Sequence, residues 1–554
     1  MTKTRIITVL GITIQTSLMA FNISNSYGST RVPTPAETVQ RNATARLSAG
    51  DSHTCQLNYA GTARCWGSNG NGQLGDGTAA ERHLPVPVQS LTNAVAISAG
   101  SNHTCGLLAN GTVRCWGSNS SGELGNNNPG DFSAIPVGVI GLEDAVAITA
   151  SLHTCALRAN GRSRCWGDNV VGQLGDGTTT PRPRPATDVV GFTGATAIAA
   201  GGHHTCGLTA ANEVSCWGEN SSGQLGIGAT SNSSVATPVP SGGVSISASA
   251  ITGDRLHTCA MRASSAVSCW GLNSSGELGD GTNNDRPLPT AVNGLTNAVA
   301  IAAGGGAGGH SCALIADGTA RCWGVNRAGQ LGDGTNNDRP LPTAVVGLIN
   351  AVAIATGLDH TCALVTITGA ARCWGGDFFG QLGNNDDSNR SLPVIVNGLT
   401  NTFAIAAGSA HTCAIKATGA VFCWGRNLNG ELGVGTTDSS PVAVAVPSFT
   451  LNIDPVVELR GKKGEAIVNV IAICEEGDRL QVRVEVTQGS ARGHGNDHFE
   501  CTGITGKFPV SIHPQGNNTF VAGPAQAQAE ADIKDQGPVD HQEWSRNVEI
   551  VSTP

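Results

Sequence analysis

Three side chains that can hold a metal or exchange electrons recur at one spacing along this chain: His53, Cys55 two residues on, and Cys65 ten residues after that, followed by Trp66. The cysteine pair returns as Cys105 and Cys115, Cys155 and Cys165, Cys206 and Cys216, Cys259 and Cys269, Cys312 and Cys322, Cys362 and Cys373, and Cys413 and Cys423. Every second cysteine precedes a tryptophan, at intervals of 50 to 53 residues. A His-x-Cys step with one further thiol could bind zinc, but structural zinc sites are usually built on Cys-x-x-Cys pairs. Eight copies would also make an eight-zinc protein. Oxidation is the better reading, because eight in-repeat pairs plus Cys474 and Cys501 account for all 18 cysteines. An even set of this kind is typical of exported chains. No metal and no cofactor is expected, and the repeated histidine is read as structural, bonding a backbone group within or between repeats.

Turn chemistry says which thiols meet. Between Cys105 and Cys115, two arms flank Asn110-Gly111, a three-residue hairpin loop with Gly111 in the left-handed region. That register sets Leu108 against Thr112 and Cys105 against Cys115, within disulfide reach. Eight such staples are expected, each stabilising by roughly 2–3 kcal/mol in so short a loop. The seventh, Cys362 to Cys373, has one extra residue and needs a bulge or longer turn.

The elements that position these hairpins follow from one repeat. Asn93 to Gly100 is a strand of very small residues suited to a crowded axis, His103 to Leu108 a second strand and Thr112 to Trp116 a third. A glycine loop such as Gly72-Gln73-Leu74-Gly75 leads to a proline-containing run such as Leu84 to Val88, which suits an outer edge. Four graded strands make a propeller blade, and the tryptophans are expected to pack between blades. The glycine loop carries no Lys-Ser/Thr, so it is no phosphate loop. Eight blades are expected, with seven plus an irregular end unit as the alternative.

The unit A-I-x-A-G-x-x-H-T-C-x-L followed by G-x-x-x-C-W-G-x-N-x-x-G-[QE]-L-G-x-G-T resembles the repeat of the regulator of chromosome condensation family over about Asn42 to Ser448. The resemblance implies a β-propeller, usually of seven blades, that serves as a protein-interaction platform. Some members of that family are guanine-nucleotide exchange factors for small GTPases, and some secreted bacterial members inhibit β-lactamases. This chain departs from the family in its eight repeats, its cysteine pairs and its N-terminal segment, and reads as resembling the secreted bacterial kind.

Composition and the ends of the chain complete the reading. Charged residues are 13% and glycines number 75, a turn-rich all-β profile. A net charge of −9 argues against nucleic acid as partner. Lys3 and Arg5 before an apolar run from Ile6 to Phe21 have the layout of a secretory signal, cut between about Ala20 and Ser29. The expected organisation is signal 1–29, linker 30–41, propeller 42–449 and, at 450–554, an immunoglobulin-like β-sandwich stapled by Cys474–Cys501. His494-Gly495-Asn496-Asp497-His498 is placed on a polar surface loop of that domain. No membrane span is expected, and the protein is read as a secreted monomer, extracellular or periplasmic.

Function is expected where repeats leave their own pattern. The segment Asn126 to Ile135 brings in Asp131 and Phe132, Gly304 to Gly309 is a glycine run, and Gly375 to Gly380 inserts Asp377, Phe378 and Phe379 where other repeats are small or polar. These two aromatic places are the candidate partner-binding residues. No catalytic motif is present, so a non-enzymatic protein-binding scaffold is expected. The alternatives are a small-GTPase regulator, by family resemblance, and an extracellular carbohydrate-binding or inhibitor protein.

Overall fold

The computed structural model describes residues 46–552 apart from 59–60, 242–243, 306–308, 366–368, 417, 448–449, 461–464, 474–478, 501–505, 516–518 and 534–539. The secretory signal and linker, and both Cys474 and Cys501, lie outside the described residues. All described regular structure is β: eight consecutive antiparallel blade sheets, a two-strand ribbon of Pro240–Ser241 and Val244–Ser245 between the fourth and fifth, and then a closed barrel.

Each blade is a meander in chain order. In blade 2 the strands are Ala94–Ala99, His103–Leu108, Val113–Ser118 and Phe132–Gly138. The second and third strands pair with Cys105 facing Cys115 and Leu107 facing Val113, and Leu108 donates its N–H to the Thr112 carbonyl. All eight in-repeat disulfides form, with Cα atoms 4.1 Å apart. Their thiols are therefore unavailable as zinc ligands. Gly111, at φ 82°, takes the left-handed turn position.

The register of the third strand against the outer strand slips at the tryptophan in all seven blades that pair an outer strand. A bulged residue leaves the ladder, and here its indole enters the neighbour. Trp116 of blade 2 packs among Cys55, Cys65, Leu74 and Val88 of blade 1. Trp66 of blade 1 packs likewise among Cys413, Cys423 and Leu432 of blade 8. The ring thus closes through side chains, with all four strands of blades 1 and 8 contributed by consecutive chain. Gly75, at φ 70°, seats the indole: a Cβ there would stand 2.9 Å from Trp116.

Blade 3 departs from the expected four strands. It pairs only three, and its outer run touches the sheet through a single bridge, Gly167 to Arg182. Pro181, Pro183 and Pro185 alternate along that run, and each removes an N–H the ladder needs.

The C-terminal domain corrects the sandwich expectation. Its seven strands close in the order Thr450–Arg460, Glu465–Ile473, Gly506–Pro514, Ala491–Glu500, Arg479–Gln488, Gly523–Ile533 and Asp540–Ser552, the last pairing in parallel with the first. Closing the ring satisfies the strand edges that two facing sheets would leave open. Alternate residues Leu480, Val482, Val484 and Val486 face Ala527, Ala529, Ala531, Val468 and Val510 in one buried core. The polar run His494 to His498 lies on a strand of this barrel, not on a loop, because Gly493 and Gly495 turn inward against Phe520 and Ser511 while His494 faces out.

Candidate functional site

The repeat motif builds a four-part joint at every blade interface. The histidine Nε2 of one blade lies 2.7–3.0 Å from the hydroxyl of the Thr or Ser that follows the next blade's histidine, all the way around the ring. That hydroxyl donates its one proton to the carbonyl of the Gln or Glu in the first blade's glycine loop, at 2.9–3.4 Å. The next blade's indole donates to the same carbonyl at seven interfaces. The histidine is structural, as expected, but its partner is a side-chain hydroxyl and not a backbone group.

Because each hydroxyl spends its proton on the carbonyl, it must accept from Nε2–H. Burial holds His53, His153, His310 and His360 down at about 3 and His103, His204 and His411 at about 4, so these seven rings are neutral. His257 differs. Its Nδ1 faces the Asp254 carboxylate at 3.0 Å while Nε2 faces Ser311 Oγ at 2.8 Å. Burial alone would lower this ring too, but Asp254, with Glu277, raises it above the usual range, and a carboxylate at Nδ1 with a hydroxyl that must accept at Nε2 calls for a proton on each nitrogen.

Ser311, His257 and Asp254 stand in the order of a hydrolase relay. The arrangement cannot act as one. Ser311 is 1% exposed and its proton goes to the Glu277 carbonyl. The three residues are a charged version of the joint found at the other interfaces. Among the described residues no three His, Cys, Asp or Glu side chains are grouped to hold a metal.

The phenylalanines singled out from sequence lie on or at the end of the loops between third and outer strands. Phe378 is 79% exposed and meets half-buried Phe379 edge-on, ring centroids 4.9 Å apart. The corresponding residues of blades 1 and 2 are Gly70 and Ser120. Leu428, 55% exposed, holds the corresponding place in blade 8, and sequence reasoning passed over it. Each loop leans on the next blade's outer strand: Gly380 on Pro441, Gly430 on His83, Gly72 on Ala134 and Phe132. Phe378, Leu428 and Phe132, the last 46% exposed beside exposed Asp131, therefore follow one another along one rim.

Asp377, grouped with the phenylalanines by sequence, presents nothing to a partner. It is fully buried, its Oδ1 accepting the Leu382 N–H at 2.9 Å. Burial, with Asp386 and Asp387 nearby, pushes its carboxyl up to about 7.

Comparison with known proteins agrees with the repeat propeller. A family model described as the RCC1-like domain matches residues 10–308, and the regulator of chromosome condensation (RCC1) repeat matches 317–364, 369–415 and 418–458. The chain is 31% identical over 255 residues to the ultraviolet-B receptor UVR8 of Arabidopsis thaliana, covering 45% of this chain and 57% of that protein. It is 32% identical over 202 residues to the human probable E3 ubiquitin-protein ligase HERC4, 36% of this chain but only 19% of that one. Among solved structures, yeast RCC1 (Prp20), crystallised bound to Kap60, superposes with a TM-score of 0.50 at 20% identity, covering 74% of this chain and 92% of that one. At that identity the likeness is one of fold.

Proposed function

The chain belongs to the RCC1-like domain family, and from that premise we propose that it is a secreted, non-enzymatic scaffold that binds a protein partner through the rim bearing Phe378. The observation that carries this reading is the 79% exposure of Phe378, the one aromatic at a loop position that holds Gly70, Ser120, Val170, Ser221, Ser274, Arg327 and Leu428 in the other blades. Large exposed aromatics on a rigid frame are the side chains that fill a partner's pocket. Export is supported by eight closed disulfides, which persist in oxidising compartments and are rare in the cytosol and nucleus. The same bonds weigh against a nuclear exchange-factor role. No helix among the described residues is long and apolar enough to cross a membrane.

The test is the double variant F378A/F379A. Partner recovered from the extracellular or periplasmic fraction of the native host should bind it about tenfold or more weakly than the parent, at unchanged melting temperature. Unchanged binding with a large drop in melting temperature would show that the pair only packs on its own blade.

A further inference from the structure

Seven of the eight loops between third and outer strands share an asparagine, and its amide does two jobs. In blade 1, Asn69 Oδ1 accepts the Leu74 N–H while Nδ2 donates to the Thr78 carbonyl at 3.1 Å, the Ala80 carbonyl at 2.8 Å and Asp76 Oδ1 at 3.2 Å. The same three oxygens converge on Nδ2 of Asn169 and Asn273. A cage of oxygens thus surrounds one donating nitrogen.

Blade 7 keeps the cage and removes the donor. Asp377 stands at the asparagine position, and the loop around it is held by the same bonds as elsewhere. Leu382 N–H reaches Asp377 Oδ1, and Asp377 N–H reaches Asn389 Oδ1 as Asn273 N–H reaches Asp285 Oδ1. Asn385, at φ 73°, donates to the Pro441 carbonyl as Gly77 donates to that of Ala134. The carbonyls of Asp386 and Ser388 therefore hold the places of those of Thr78 and Ala80, and Asn384 holds the place of Asp76. Asp377 Oδ2 is buried without a partner, and so is Asn384 Oδ1. Asp386 accepts the Ser388 N–H and pairs with Arg390.

Oxygen facing oxygen is unfavourable unless something positive lies between them. We propose that Asp377 Oδ2, Asn384 Oδ1 and the carbonyl oxygens of Asp386 and Ser388 form a binding site for a hard divalent cation of the calcium class. Carboxylate, amide and backbone oxygens are the ligands such a cation takes, with water completing a flexible shell, whereas magnesium demands a stricter octahedron. The acidic side chains of Asp386 and Asp387 add negative potential at the mouth. The site does not depend on whether Phe378 holds a partner.

Titration calorimetry on the chelator-treated full chain tests this with calcium chloride, and with magnesium chloride as control. Calcium should bind at one site and raise the melting temperature increasingly with concentration, with magnesium weaker. D377N restores the repeat's amide donor, so it should fold and melt like the parent in chelator while losing calcium binding at least tenfold. Absence of calcium heat and melting shift in the parent would overturn the proposal, as would D377N binding calcium as well as the parent. A parent that ignores calcium but loses stability as pH rises from about 4 to about 7, while D377N does not, would overturn it too and assign a proton to Asp377.

Discussion

The interface between blades 5 and 6 uses the same four parts as its seven counterparts, yet it holds charge where they hold none. Six blades end the inner strand with glycine beside the histidine, and blade 3 has Ser151; blade 5 has Asp254. Ser311 also replaces the threonine found in the other seven. Elsewhere one ring proton suffices, because Nε2–H feeds a hydroxyl that feeds a carbonyl. With a carboxylate at Nδ1 the same chain of bonds requires two. The direction of a hydrogen-bond chain, set by backbone carbonyls, thus dictates the protonation of a ring a few ångströms away. The charge carries no guarantee of extra stability, since desolvating an ion pair offsets most of its attraction.

Tryptophan truncation should not see this difference. W116A at an ordinary interface and W323A at the charged one should each cost about 3–5 kcal/mol in denaturant unfolding, since both indoles are fully buried. Unequal losses would mean that the charge has altered packing.

Substitution at Asp254 should expose the difference. D254N strips the imidazolium of its counter-charge and should cost about 3 kcal/mol. D254G restores the arrangement of the other interfaces and should cost less than half as much, measured by the same unfolding midpoints. Equal costs would show that Asp254 acts through backbone contacts alone.

Acid should act on the two kinds of histidine with opposite sign. The seven neutral rings have folded values below the ordinary 6.5, so the unfolded chain binds more protons between about 6.5 and 3. Their contribution is present above that window and is lost as pH falls through it, at up to about 1.4 kcal/mol per pH unit for each ring. His257 is raised, so its contribution is complete below 6.5 and lost as pH rises through its folded value. H103Q should flatten the acid limb of the stability profile, and D254G, which returns His257 to the neutral group, should steepen it. The smallest effect is expected of S311T, below about 1 kcal/mol, because threonine occupies the seven equivalent positions.

Much of this architecture was legible in residue order. The 50–53-residue period announced the blades, and Asn110-Gly111 announced a register that puts Cys105 opposite Cys115, because a hairpin is closed by its own ten residues. The partner of each histidine was harder to read. It lies 51 to 54 residues away on the next blade for seven of them and 357 away for His411, which meets Thr54 where the ring closes, although the Thr or Ser that follows every histidine was a visible signal. Pro181, Pro183 and Pro185 were a second visible signal, since prolines alternating along one run remove the donors an outer strand needs, yet four strands were expected of blade 3 as of the others. In the barrel, Gly523–Ile533 alternates alanine with Gln and Glu, residues of weak strand preference, so neither this strand nor closure showed in the pattern. Phe378 stood out as a departure from the repeat, whereas Leu428 became part of the rim only once blade 8 was seen beside blade 7.

What residue order alone determined is everything that one hairpin or one repeat settles by itself: the turn, the staple, the strand sequence and the number of units. The tertiary structure decided the protonation of His257, the burial of Asp377 against an oxygen cage, the neighbour each tryptophan enters and the closure of both rings. These depend on groups that other segments place across a gap, and the energy of a charge or donor is set by what faces it.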